Sequence, residues 1–190
     1  MKQSEALEIL KKGVNVFLTG EPGSGKTHTI NQYISWLRER GVEPAVTAST
    51  GIAATHVGGH TIHSWSGIGV KSKVSDWDIE MIGQREKTAK RMIDAKVLII
   101  DEISMLDSET LDSVDRVLRG LRQKQEPFGG LQMIFVGDFF QLPPVSKGSR
   151  ASFAFESAAW RAANPIICYL SEQHRQDDAD FLDLLGALRS

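Results

Sequence analysis

An α/β fold, with a mostly parallel central sheet covered by helices on both faces, is predicted by three features of the 190-residue sequence. Five short runs, 14–19, 45–48, 97–101, 131–137 and 166–170, are apolar along most of their length, as strands buried on both faces are. Between and after them lie stretches with helical spacing, such as Leu111, Val114, Leu118 and Leu121, and later Phe181, Leu184, Leu185 and Leu188. The first run leads into the glycine-rich loop Gly20-Glu21-Pro22-Gly23-Ser24-Gly25-Lys26-Thr27, and Ile30, Tyr33, Ile34 and Leu37 then continue at helical spacing. Strand, loop and helix in that order make a phosphate-binding loop, and alternating strands and helices favour parallel pairing.

With 41% hydrophobic residues, a chain of 190 residues suits one well-buried domain, 1–190, and leaves too little for two. A net charge of −2 gives no global attraction to nucleic acid, so any such contact has to come from a local face. Cys168 stands alone in an apolar run, which excludes an internal disulfide and fits a small buried strand residue in a reducing compartment. Residues 1–5 open an amphipathic helix rather than a signal core. No apolar run approaches the ~20 residues a membrane span needs. A soluble intracellular protein without membrane association is expected. The least regular stretches run from Gly58 to about Gln84 and from Pro143 to Phe153, both rich in turn-forming or charged residues.

The loop defines the chemistry. Gly20, Gly23 and Gly25 let backbone N–H groups converge on phosphate oxygens at the positive end of the following helix, so Gly20, Glu21, Pro22, Gly23, Ser24, Gly25, Lys26, Thr27 and His28 form the expected nucleotide-binding set. Lys26 is placed to bridge the β- and γ-phosphates of ATP, and the Thr27 hydroxyl to ligate Mg²⁺. The run 97–100 ends in Asp101-Glu102, a pair with divided labour: Asp101 holds Mg²⁺ through water, and Glu102 orients and deprotonates the attacking water. A small-molecule kinase has no use for that base, and a GTPase would carry an N-K-x-D guanine reader that the sequence lacks. A further strand ends in Gly137-Asp138-Phe139-Phe140-Gln141, where the Gln141 amide either senses the γ-phosphate or simply completes a turn.

These motifs, taken in order, resemble the Pif-one family of superfamily one B, helicases that travel 5′ to 3′ along single-stranded DNA. The parts are Gln3, the phosphate loop, the segment 47–65 (T-A-S-T-G-I-A-A-T-H-V-G-G-H-T-I-H-S-W), V-L-I-I-D-E-I-S-M-L-D over 97–107, P-F-G-G-L-Q over 127–132, G-D-F-F-Q-L-P-P-V over 137–145, and His174-Arg175-Gln176. The resemblance implies a RecA-like P-loop NTPase domain that couples ATP hydrolysis to translocation on single-stranded DNA in genome maintenance. It implies that Gln3 reads the adenine, that Gln141 reports the γ-phosphate, and that Arg175 touches the γ-phosphate. His174 departs from the aromatic residue usual before that arginine.

It further implies that 47–65 faces DNA, through the hydroxyls of Ser49, Thr50, Thr61 and Ser64, the open backbone at Gly51, Gly58 and Gly59, and contacts or stacking from His60, His63 and Trp65. Arg116, Arg119, Arg122 and Lys124 read as a solvated helix face. A second motor domain carrying an arginine finger is expected beyond Ser190, with a monomeric protein acting in the cytoplasm or nucleoid of a bacterium, or the nucleus or mitochondrion of a eukaryote. A RecD-like or conjugative helicase shares the core motifs, and a nucleotide-gated DNA-binding module that never translocates remains the alternative from another class.

Overall fold

The computed structural model describes residues 1–144 and 152–171. Strands β1 (Val16–Gly20), β2 (Ala45–Ala48), β3 (His60–Thr61), β4 (Val97–Asp101), β5 (Gln132–Val136) and β6 (Ile166–Leu170) form one sheet in the order β3-β2-β4-β5-β1-β6. Every neighbouring pair is parallel. The helices are α1 (Gln3–Leu10), α2 (Lys26–Arg38), α3 (Gly51–His56), α4 (Ile62–Ser66), α5 (Asp76–Gly83), α6 (Glu86–Asp94), α7 (Ser108–Arg122) and α8 (Ala158–Ala163). This is the RecA-like α/β arrangement expected from the sequence. His174-Arg175-Gln176 and the stripe from Phe181 to Leu188 lie outside the described residues.

The apolar strand runs hide a period of two. Val16 and Leu18 of β1, Val97 and Ile99 of β4, and Ile134 and Val136 of β5 face one core with Ile30, Tyr33 and Leu37 of α2. The intervening Phe17, Leu98, Ile100, Met133 and Phe135 face the other, with Leu111, Val114 and Leu118 of α7. β5 lies between β1 and β4, so the turn after β5 emerges between the phosphate loop and the acidic pair. That order positions the site, because in open parallel sheets the carboxyl ends of the strands gather the chemistry. No helix among the described residues is long and apolar enough to cross a membrane.

Two expectations are corrected. The stretch 58–84 holds β3, α4 and α5 rather than irregular chain; these elements are too short to show periodicity, yet Thr61 and Ser75 cap the two helices and Ile62, Trp65 and Ile82 anchor them in the core. Arg122 is not part of a solvated face. Its guanidinium donates to the carbonyls of Met92, Ile93 and Ala95 at the carboxyl end of α6, and to Gly129. The motif 127–132 is framework: the Phe128 N–H donates to the Asp115 carboxylate at 2.6 Å, and the Gln132 amide joins the Leu10 and Val14 carbonyls to the Tyr33 hydroxyl. Cys168 is buried in β6, where burial raises its thiol pKa.

Candidate nucleotide and DNA site

The phosphate loop leaves the end of β1 and enters α2 at Gly25, whose φ of 90° lies in the left-handed region. A Cβ on Gly25 would lie 2.0 Å from Nε2 of Gln3, so only glycine lets the amide lie against the loop. Gln3 in turn donates from Nε2 to the Ser24 carbonyl at 3.2 Å, which places it beside the loop from the start of α1. Lys26 projects from the first turn of α2, and its ammonium donates to the carbonyls of Gly20 at 2.6 Å and Glu21 at 3.0 Å. The side-chain charge therefore sits inside the curve of the loop, where the N–H groups of the helix start add positive potential.

The acidic pair stands across from it. Thr27, Asn31 and Asp101 line a small, mostly apolar cavity of about 20 Å³ together with Ile30, Ile34, Ile99 and Val136. Burial raises the Asp101 carboxyl pKa, while the Glu102 N–H donating to its Oδ1 at 2.9 Å and the Lys26 charge pull it back. Glu102 is raised by burial first, then by Asp101, with Lys26 opposing and Asp138 adding to the rise. Glu102 thus feels the charges of Asp101, Lys26 and Asp138, and Asp101 that of Lys26. Glu102 also adopts a left-handed backbone, φ 52° and ψ 44°, unusual for a residue with a side chain. Strain of that kind persists only where neighbours over-determine it.

The turn after β5 completes the group. Asp138 is 4% exposed, and its carboxylate accepts from the Phe140 N–H at 3.1 Å and from Nε2 of Gln141 at 3.3 Å. Phe139 points inward, 5.2 Å from the Phe17 ring, whereas Phe140 is 90% exposed.

The expected DNA-facing segment is divided. Gly51, His60 and Ser64 are exposed, and Thr50, Thr61 and His63 are partly so. Thr50 and Thr61 also cap α3 and α4, accepting from the N–H groups of Ala53 and Ser64. Trp65 is not a stacking platform: at 4% exposure it packs into the core with Ile62 and Ile68, because α4 is too short to hold itself without that apolar area. Arg91 of α6 fixes the same helix by donating to the Ser64 and Trp65 carbonyls. Gly59 serves the sheet rather than open backbone, since a Cβ there would lie 2.2 Å from the Val46 carbonyl oxygen. Ser49, 8% exposed, turns its hydroxyl inward.

The family model for PIF1-like helicases matches residues 3–183. The chain belongs to the PIF1-like helicase family. It is 56% identical over 183 residues to the ATP-dependent DNA helicase Pif1 of Psychrobacter sp. (strain PRwf-1), covering 95% of this chain and 28% of that protein. Among solved structures it is similar to the Pif1 helicase of Candida albicans, with a TM-score of 0.93 at 40% identity, covering 99% of this chain and 43% of that one. It is also similar to the Bacteroides Pif1 helicase in complex with ADP-AlF3 and ssDNA, with a TM-score of 0.78 at 33% identity, covering 98% and 45%. The chain therefore spans under a third of the curated relative it matches.

Within this PIF1-like domain the structure brings together Gln3, the loop from Gly20 to His28, Asp101, Glu102 and the Asp138–Gln141 turn. Arg175 lies outside the described residues. Sequence reasoning missed Asp138, although an acid three residues before an amide in a turn was the available signal. It also missed the inward bond of Ser49, for which the sequence holds no signal.

Proposed function

We propose that the chain is the first ATP-binding motor domain of a 5′-to-3′ DNA helicase, hydrolysing ATP to step along single-stranded DNA. The observation that carries this reading is the convergence of Lys26, Asp101, Glu102 and the Asp138–Gln141 turn at the carboxyl ends of β1, β4 and β5. The ADP-AlF3 and ssDNA bound by the Bacteroides relative support the same pair of ligands here. Lys26 and the N–H groups at the start of α2 neutralise the phosphates, and the Gln3 amide, which can both donate and accept, reads the adenine edge.

Thr27 and Asp101 carry a hydroxyl and a carboxylate, hard oxygen donors of the kind that would hold Mg²⁺. When bound, Mg²⁺ supplies positive charge to the β- and γ-phosphate oxygens. Glu102 accepts the proton of the attacking water; burial makes it a stronger base than a surface glutamate. Gln141 reports whether the γ-phosphate is present, and Arg175 contributes charge to it. The DNA contact falls to Thr50, Gly51, His60, Thr61, His63 and Ser64, without Trp65. We assign the second motor domain, with its arginine finger, to the remaining length of the relatives, in a protein that works as a monomer. Without such a finger, turnover falls by about 10³ to 10⁵-fold.

Titration of a fluorescent ATP analogue against Lys26→Ala tests the site. Loss of binding with an unchanged circular dichroism spectrum is expected, and wild-type affinity would overturn the assignment. Strand displacement by the protein in its full natural length tests the motor.

A further inference from the structure

Ser49 lies at the junction of two parts of this molecule that share no side chain: the exit of β2 toward Thr50 and Gly51, and the acidic tip of β4. Register brings them together, because Ala48 stands opposite Asp101 in the β2–β4 pairing. The Ser49 N–H then donates to the Asp101 carbonyl at 3.1 Å, and its hydroxyl donates to the Glu102 carbonyl at 2.7 Å. Two residues earlier the Thr47 hydroxyl donates to the Ile99 carbonyl at 2.7 Å, so side-chain bonds from β2 run up to the base itself. Ser49 is 8% exposed and its oxygen is turned away from solvent, leaving it a poor partner for a DNA phosphate.

The Glu102 carbonyl is the group whose orientation the left-handed backbone fixes. That conformation aims the carboxylate, and a left-handed residue with a side chain costs roughly 1–2 kcal/mol to hold. The Ser49 hydroxyl is one holder; the Met105 N–H, at 3.1 Å from the same carbonyl, is the other. The next residue, Thr50, caps α3 and opens the partly exposed segment. A ligand that draws Thr50 and Gly51 toward itself therefore pulls on the bond that orients Glu102.

We infer that Ser49 is a positioning residue that ties engagement of single-stranded DNA at Thr50 and Gly51 to the orientation of the base Glu102. The inference rests on the proposed reading of this domain as a DNA-dependent ATPase. It reassigns the Ser49 hydroxyl from a DNA contact to an internal link.

The test measures ATPase rates of the protein in its full natural length, with and without saturating oligo-dT, for Ser49→Ala, Ser49→Thr and Ser49→Val. Threonine and valine differ by little more than the hydroxyl, so their comparison isolates the bond even if alanine fails to fold. Expected is a loss of DNA-stimulated kcat of about tenfold or more in alanine and valine, the scale of a misplaced catalytic group, with KM for ATP and affinity for fluorescein-labelled dT within about twofold. Threonine should recover most of the rate. Valine matching threonine in DNA-stimulated kcat would overturn the inference, as would weakened DNA binding with kcat intact at saturating DNA. A wild-type ATPase indifferent to oligo-dT would overturn the motor reading as well, which separates the two failures.

Discussion

The carboxylate of Asp138 holds the amide of Gln141: Nε2 of Gln141 donates to one oxygen at 3.3 Å while the Phe140 N–H donates to the other at 3.1 Å. One buried acid thus sets both the backbone and the side chain of the turn between the phosphate loop and the acidic pair.

Removing that acid should loosen the sensor without emptying the site. In Asp138→Ala the Gln141 amide loses its acceptor and samples other rotamers, so kcat for ATP hydrolysis falls by up to about 10²-fold, as expected when a positioning contact is lost. Nucleotide affinity should change little, because Lys26 and the loop are untouched. Asp138→Asn keeps an acceptor for the Phe140 N–H and should be milder. Steady-state ATPase assays with parallel nucleotide titrations decide it; equal rates for alanine and wild type would refute the role.

Gly25 makes a sharper case for the loop. Gly25→Ala adds a Cβ at a φ of 90° and 2.0 Å from the Gln3 amide. The backbone cost alone is roughly 1–2 kcal/mol. Gln3 must also leave the Ser24 carbonyl. Urea denaturation should show lower stability by about that amount, and nucleotide affinity should fall with it. Unchanged stability and affinity would mean that Gln3 does not rest on the loop.

What the sequence made legible follows how local each signal is. The phosphate loop and Asp101-Glu102 are contiguous, so residue types and neighbours suffice to find them, and the buried parallel strands show as unbroken apolar runs. The division of 47–65 was not legible, because it depends on which way each side chain turns. Ser49 and Trp65 look as suited to DNA as Thr50 and His60 until the β2–β4 register and the packing of α4 point them inward. The run 127–132, distinctive in sequence, carries structural constraints that the sequence does not spell out: a left-handed Phe128, a bond to the buried Asp115 and the Gln132 bridge.

Trp65 should therefore register in stability and not in DNA affinity. Trp65→Ala leaves a cavity among Ile62, Ile68 and their neighbours, and removal of a buried Trp costs about 3–5 kcal/mol. Trp65→Phe, which keeps a ring in the core, should bind labelled oligo-dT as the wild type does. An affinity loss of tenfold in a stably folded Trp65→Phe would restore the stacking role.

His63 gives the domain an acid sensitivity whose direction follows from its surroundings. Burial lowers its pKa, and the nearby Asp107 carboxylate only partly offsets this. In the unfolded chain a histidine titrates near ~6.5. Above that value the imidazole is neutral in both states and contributes nothing to the pH dependence. As the pH falls below it, the unfolded chain takes up a proton that the folded one refuses, so stability declines until the folded pKa is passed. His63→Gln removes this proton uptake. Urea unfolding from pH 7.5 down to about 5 should show a shallower loss of stability in the variant than in the wild type. Parallel curves would mean that the imidazole at α4 reaches solvent in both protonation states.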